Sequence, residues 1–381
     1  MRILITRFPY ASEFGGLETH TLALFERLKR LGFQFKLIST CPILLQEFQK
    51  RHWNCRKIWW PKPPVSKLAV LSWLLFLPYQ LVVGSWWLLA GKMKKYDTIY
   101  MLSFGEKLSL TLLARLLGYR VFWIEHERVR RWWTKNPYLF WYCFCSRFAM
   151  VVCVSGLLKK DLEKMRIKNL KVIYNGVDTE FFSPRYKEKL SSLHRRGVEC
   201  FTPPRCIVGT LARLKPEKGI DLFLHAAAKI AREIPQAVFV VAGDGPERNN
   251  LIQLTKKLEL ESRVEFLGEL NQAQVRQFYN SIDVLVLPST EQETFGLIAA
   301  EASAMRVPVV LTDQFGLTDL IKSQELLVVP AGNVEVLSTA ILKIHHDDSF
   351  RVKLIRSGFE LVKHKISLEK MTKEYAKLFQ N

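Results

Sequence analysis

At 381 residues, 49% of them apolar and 24% charged, the chain has the make-up of a folded protein with core enough for two or three domains, which excludes a disordered or fibrous one. The net charge of +20 is unevenly placed: residues 1–182 carry 29 Lys and Arg against 12 Asp and Glu, and all 10 Trp lie between Trp53 and Trp141. A basic, aromatic front half suits an anionic membrane surface or a nucleic acid, and with no nucleic-acid recognition module of a usual kind in the sequence the membrane is favoured. The seven Cys are irregularly spaced, without a Cys-x-x-Cys pair, and the His show no metal-ligand spacing, so reduced thiols are expected and a structural zinc is not.

Arg2–Phe8 is predicted as a buried parallel strand rather than a signal peptide, because only Ile3-Leu4-Ile5 stands before Arg7. After the loop Pro9–Gly16, Leu17–Leu31 has helical periodicity and stops at Gly32. Gly15 and Gly16 would let a phosphate approach the backbone at that helix start, although a plain tight turn reads the same locally. Phe35–Ser39 is the second strand. Leu68–Ala90 then runs 23 residues without a formal charge; as one helix it would reach ~34 Å, enough to cross a bilayer. A span is rejected, since it would part the first two strands from those they must pair with, and Pro78 and Gly84 interrupt it. The expectation is one or two helices lying on the membrane interface with Trp73, Trp86 and Trp87 at headgroup depth; a buried helix pair is the alternative.

Asp97–Ser103, Arg120–Glu125 and Met150–Val154 continue the strands, and Ser155 is expected to cap the next helix. His126 follows a strand's carboxyl end, where ligands of α/β sheets bind. The loop Glu127–Lys135 after it, with Arg128, Arg130, Arg131, Trp132 and Trp133, suits an anionic lipid head group or a solvated charge run. Leu170–Tyr174 leads into Asn175-Gly-Val-Asp178, a turn signal, and residues 183–205 read as linker.

The strand Cys206–Leu211 restarts the alternation and is followed by Arg213 and Lys218 in one strand-to-helix loop. An Arg fork and a Lys point charge suit a departing diphosphate where no metal neutralises it, though such pairs are often only solvated. Ala237–Ala242 runs into Gly243-Asp-Gly-Pro246, a close-approach loop. Val264–Leu267, Asp283–Leu287, Val309–Leu311 and Leu327–Val329 complete a parallel sheet. Glu293 lies in the loop after Leu287, beside Thr294, and Glu301 lies about two helical turns on. Between them the amides of Phe295, Gly296 and Leu297 open a helix and form a ready anion site. A Glu-x7-Glu spacing alone is common on amphipathic helices; flanking a phosphate cradle, it describes a receptor for a nucleotide-sugar.

Taken together, Gly15-Gly-x-Glu-x-His20, Asn175-Gly-Val-Asp178, Arg213-x4-Lys218-Gly219, Gly243-Asp-Gly-Pro246 and Glu293-x7-Glu301 resemble the family 4 glycosyltransferases over essentially the whole chain. The resemblance implies the α/β GT-B fold, two Rossmann-like doubly wound domains facing a central cleft. The acceptor domain would be 1–182, the donor domain 206–365, and 366–381 a helix returning to the first domain. It further implies a retaining transfer with no metal, the co-substrate being a UDP- or GDP-linked sugar. Arg213 and Lys218 would clamp the diphosphate with help from Gly15, Gly16, Gly243 and the 295–297 amides. Glu293 would hold the sugar hydroxyls, Glu301 the ribose, and His126 would stand beside the transferred sugar. The family's His-Asp is His126-Glu127 here. The partners expected are a glycan or glycolipid acceptor and the inner face of a membrane, with the protein cytoplasmic and peripheral. A soluble acceptor, a sugar-nucleotide epimerase and a non-catalytic scaffold are the other readings.

Overall fold

Five of the six residues Arg2–Arg7 are buried, the pattern of a strand covered on both faces, and this strand lies mid-sheet in the first of two units. The computed structural model describes residues 1–9, 15–64, 67–126, 136–184, 206–322 and 324–380, with the backbone alone at 67–68. The first unit joins Met1–Gly176 to Leu368–Asn381, and the second is Val177–Ser367. The first division therefore falls six residues before the 182 expected from sequence.

In the first unit β1 (Arg2–Arg7), β2 (Gln34–Ser39), β3 (Cys55–Lys57), β4 (Thr98–Met101), β5 (Arg120–Glu125), β6 (Met150–Cys153) and β7 (Leu170–Val172) form a parallel sheet in the order 3-2-1-4-5-6-7. Alternation sorts their side chains into two cores. Ile3, Ile5, Phe122 and Ile124 pack beneath α1 (Gly16–Arg30), α2 (Pro42–Lys50) and the terminal helix Leu368–Gln380, whose Met371, Tyr375, Leu378 and Phe379 supply the facing stripe. Leu4, Val121 and Trp123 face the other way. That side is covered by α3 (Lys67–Leu75), α4 (Leu77–Met93), α5 (Phe104–Leu116), α6 (Leu139–Cys145) and α7 (Gly156–Lys164). Ser155 caps α7, its Oγ accepting the Leu158 amide at 3.2 Å.

The long uncharged run corrects the sequence expectation twice. Pro78 does not interrupt a helix but sits in the first turn of α4, where its missing N–H costs nothing. Gly84 lies inside α4 and lets it press onto α5: a Cβ there would fall 2.6 Å from Leu110 Cδ2. The break is at Phe76, where the chain bends by 59°. Among the described residues no single helix is long and apolar enough to cross a membrane; α3 and α4 meet that test only as a bent pair.

In the second unit β8 (Cys206–Leu211), β9 (Ala237–Ala242), β10 (Val264–Gly268), β11 (Val284–Leu287), β12 (Val309–Thr312) and β13 (Leu327–Val329) form a parallel sheet. Counted from β8, the order is 3-2-1-4-5-6, that of dinucleotide-binding sheets. Its helices are α8 (Ile220–Glu233), α9 (Arg248–Lys257), α10 (Gln272–Ser281), α11 (Leu297–Ala304), α12 (Val334–His346) and α13 (Asp348–Lys365); the terminal helix Leu368–Gln380 is α14. The order reverses between β8 and β11, and a ligand crevice is expected beyond the carboxyl ends of those two strands.

Candidate active site

Arg213, Lys218 and Glu293 stand in the loops at that switch point. The loop after β8 turns through Pro216–Lys218 into Gly219, whose left-handed backbone (φ 64°) starts α8. A Cβ on Gly219 would stand 2.2 Å from the Pro288 carbonyl oxygen, so the loops after β8 and β11 touch backbone to backbone. The Thr290 amide donates to the Glu217 carbonyl at 3.0 Å. Glu293 is fixed from a third side, its amide donating to Gln314 O (2.7 Å) and its carbonyl accepting from Gly316 N (3.0 Å). So held, its carboxylate pairs with the Lys218 ammonium and accepts from Ser289 Oγ at 3.1 Å. Both partners stay about a quarter exposed, 22% and 26%.

The loop after β9 props the loop after β8. A Cβ on Gly243 (φ 114°) would lie 1.9 Å from Ala212 O, and one on Gly245 2.4 Å from Leu214 O. The Leu214 amide donates to Asp244 O at 2.9 Å, and the Glu247 amide to Leu214 O at 3.0 Å. Arg213 is exposed between these anchors. Gly243 thus acts by letting two backbones meet beneath Arg213.

Gly296, again left-handed (φ 111°), caps α11 and has Phe315 packed where a Cβ would be, 2.8 Å away. Ala299 and Ala300 both donate back to Gly296 O, so the turn Phe295–Leu297 leads its amides into the helix mouth beside Thr294 and Glu293. Glu301, one and a half turns into this neighbourhood, accepts from Tyr279 Oη at 3.0 Å. Burial pushes its carboxyl up to about 7, the Tyr279 hydrogen bond pulling the other way. Tyr279 and Ser289 were not singled out from sequence; each lies far from its partner's motif or carries no periodic signal of its own.

At the carboxyl ends of the first sheet the chemistry is buried. Gly15 caps α1, its amide donating to Glu18 Oε2 at 3.1 Å, and Glu18 pairs with Arg7 at 2.5 Å with both side chains nearly enclosed. Gly16 is the first residue of α1. A Cβ on Gly15 would meet only Glu18 Oε2, at 3.7 Å, so the described protein does not itself demand glycine there. His20 is buried, 4.6 Å centroid to centroid from His126, with Tyr100 Oη 3.4 Å from its Nε2. Burial lowers His20 to about 4, the Asn175 amide opposing. His126 is held well below the usual imidazole range by burial first, then by His20, Arg7 and Lys107. It is a neutral base at physiological pH, and its enclosed Nε2 has no hydrogen-bond partner among the described residues.

His126 is delivered by β5, and the strand end is clamped by a buried pair. Lys107 Nζ donates to Glu125 Oε1 (2.6 Å) and to Ile124 O (2.8 Å), and Tyr142 Oη donates to the same Glu125 oxygen at 2.7 Å. Alongside, Glu106 completes a capping box with Ser103 and also accepts the Phe8 amide at 3.2 Å, tying β1 to the start of α5. Nothing in the spacing of Lys107 and Glu125 announces this pair.

The acceptor-side expectations fare differently. Arg128, Arg130, Arg131, Trp132 and Trp133 lie outside the described residues. Trp73 and Trp87 do not project from the helix surface as interfacial side chains would: they are 2% and 5% exposed and pack into the core, with Tyr138 against Trp73 and Trp60 against Trp87. The glycine-bearing side of α4 faces inward and takes Trp87 with it. Trp86, one residue away, is 59% exposed.

Two family sequence models match, described as Glycosyltransferase Family 4 over residues 14–181 and Glycosyl transferases group 1 over residues 201–361. The chain is a family 4 glycosyltransferase. The uncharacterized glycosyltransferase of Methanocaldococcus jannaschii is 26% identical to it across all of this chain and 98% of its own length. The lipopolysaccharide core biosynthesis glycosyltransferase LpsE of Rhizobium meliloti is 32% identical over 45% of this chain and 49% of its own. Anabaena HepE, solved in complex with UDP, superposes over both whole chains with a TM-score of 0.81 at 19% identity, which establishes the GT-B fold of the transferase.

Proposed function

We propose that the transferase moves a sugar, with retention and without a metal, from a UDP- or GDP-sugar to a lipid-linked or membrane-proximal glycan at the cytoplasmic face of a membrane. The observation that carries the donor half is the Lys218–Glu293 pair at the β8/β11 switch point. A diphosphate offers Lys218 a better anion and frees Glu293 for sugar hydroxyls, so one binding event assembles both subsites. The UDP bound to HepE supports a nucleotide donor, and the name of LpsE supports a lipid-borne glycan acceptor.

The transfer breaks the bond from the anomeric carbon to the β-phosphate oxygen, whose electron pair leaves with the diphosphate. Arg213, Lys218 and the helix mouth at 295–297 stabilise that growing charge. The acceptor oxygen bonds to the same face of the sugar and gives its proton to the departing phosphate. On the family resemblance His126, uncharged and with no partner for Nε2 among the described residues, would accept a hydrogen bond from a sugar hydroxyl. A thermal-shift panel of UDP-, GDP-, ADP- and CDP-sugars without metal tests the donor half. One nucleotide-sugar at ~100 times its dissociation constant should add roughly 2.7 kcal/mol, and Glu293→Ala should shrink that shift. Silence across the panel in folded protein, or a glycosyl adduct trapped on Glu293, would overturn the reading.

A further inference from the structure

The solvent side of α4 is built backwards for a helix in water. Val82, Trp86, Leu89 and Met93 recur at helical spacing and are 70%, 59%, 48% and 86% exposed. Leu71, Leu74, Leu75 and Phe76 extend the apolar surface onto α3. Beside this stripe, between α4 and the β2–β3 edge of the first sheet, a groove of about 310 Å³ is floored by apolar and aromatic side chains, Ile58, Tyr79, Val83 and Trp87 among them.

The rim of the groove is cationic. Lys36, Arg56, Lys57 and Lys94 line it, and its lining contains no Asp or Glu. The Arg56 guanidinium carbon stands over Trp86, 5.4 Å from the ring centroid. Lys36 is pushed below the usual ammonium range by burial, then by Lys94 and Arg56, so these cations crowd one another. A soluble fold gains nothing from four like charges gathered round an apolar slot next to an uncovered apolar stripe. An anionic amphiphile satisfies all three features together.

We infer that this groove binds the phosphate-bearing head group of an anionic membrane lipid, with the α4 stripe seated in the acyl boundary. The inference rests on the membrane half of the proposed function and gives it an address. It also explains why Trp87 faces the core while Trp86 does not: Trp87 floors the slot and Trp86 stands at its lip, where an interfacial indole belongs.

The test is sedimentation of full-length protein with vesicles of phosphatidylcholine alone or with phosphatidylglycerol, in low and high salt. Two triple variants are compared: Lys36→Gln, Arg56→Gln, Lys94→Gln in the groove, and Arg232→Gln, Lys256→Gln, Lys257→Gln on exposed sites of the second unit. Wild type should bind only the anionic vesicles. The groove variant should bind them about 100-fold more weakly, roughly fivefold per cation removed, while the control changes little. Its melting temperature should hold or rise, because repulsion is relieved. Val82→Ser with Leu89→Ser should weaken binding at every salt concentration. Equal losses in the two triple variants would reduce the groove to net charge and overturn the inference. Failure of wild type to bind anionic vesicles would overturn it together with the membrane half of the proposed function. The nucleotide-sugar panel reads the donor half separately.

Discussion

Each sheet carries a Lys–Glu pair at its strand ends, and the two pairs differ in nearly everything but chemistry. Lys107–Glu125 is 2% and 6% exposed and is completed by Ile124 O and Tyr142 Oη. Lys218–Glu293 is about a quarter exposed and has one further donor, Ser289. A dry pair held by further hydrogen bonds is a fixture, whereas a wet pair open to solvent can exchange partners. The first sets the strand end that bears His126; the second is the one that a diphosphate would open under the proposed function.

Breaking the pairs singly should give the largest contrast. Lys107→Met leaves the buried Glu125 carboxylate without its counter-charge and should cost about 3–5 kcal/mol, read as a lowered urea midpoint. Lys218→Met should cost about 0–1 kcal/mol in the same titration yet abolish the nucleotide-sugar thermal shift. Equal stability losses would mean that both pairs are structural.

A contrast of glycines comes next in size. Gly243→Ala must move a Cβ off the Ala212 carbonyl and strain a backbone at φ 114°, at about 1–3 kcal/mol, and should weaken donor binding by shifting the Arg213 loop. Gly15 is extended (φ −162°) and spacious, so Gly15→Ala should cost about 1 kcal/mol or less, the ordinary loss of an N-cap. Denaturant melts and donor titrations on both variants check this. If Gly15→Ala harms donor binding far more than folding, a ligand approaches that backbone.

The same contrast explains what could be read from the chain. Buried strands of parallel sheets are runs of Val, Ile and Leu, so β1, β8 and β11 stand out, and whatever follows them, Arg213, Lys218 and Glu293, falls at a switch point by topology alone. The GT-B fold and the position of these three residues at the switch point were therefore legible. The short edge strand β3 (Cys55–Lys57) carries no such pattern. An unbroken apolar run such as Leu68–Ala90 has no period to say which side faces in, and the opposed fates of Trp86 and Trp87 were hidden for that reason. Partners such as Lys107 with Glu125, or Tyr279 with Glu301, come from different elements, and only packing brings them together.

The smallest expected effects concern Glu301, and they test whether its carboxyl meets the donor. Its value near 7 lies above that of an unfolded Glu, so the folded protein holds this proton more tightly. Its contribution to stability is therefore full below about pH 4.5 and is lost as pH rises through about 7. Donor binding should run the opposite way. A ribose hydroxyl donates best to the carboxylate, so affinity should fall as pH drops below about 7 in wild type and lose that dependence in Glu301→Gln. Tyr279→Phe sharpens the point at little cost elsewhere. The Tyr279 hydrogen bond favours the ionised carboxyl, so its removal should move the midpoint of the binding profile to higher pH while leaving affinity at pH 9 nearly unchanged. Isothermal titration with the nucleotide from pH 5.5 to 9 reads all three proteins. A midpoint that moves down in Tyr279→Phe, or does not move, would separate Glu301 from the donor and leave the Tyr279 pair as a strut between α10 and α11.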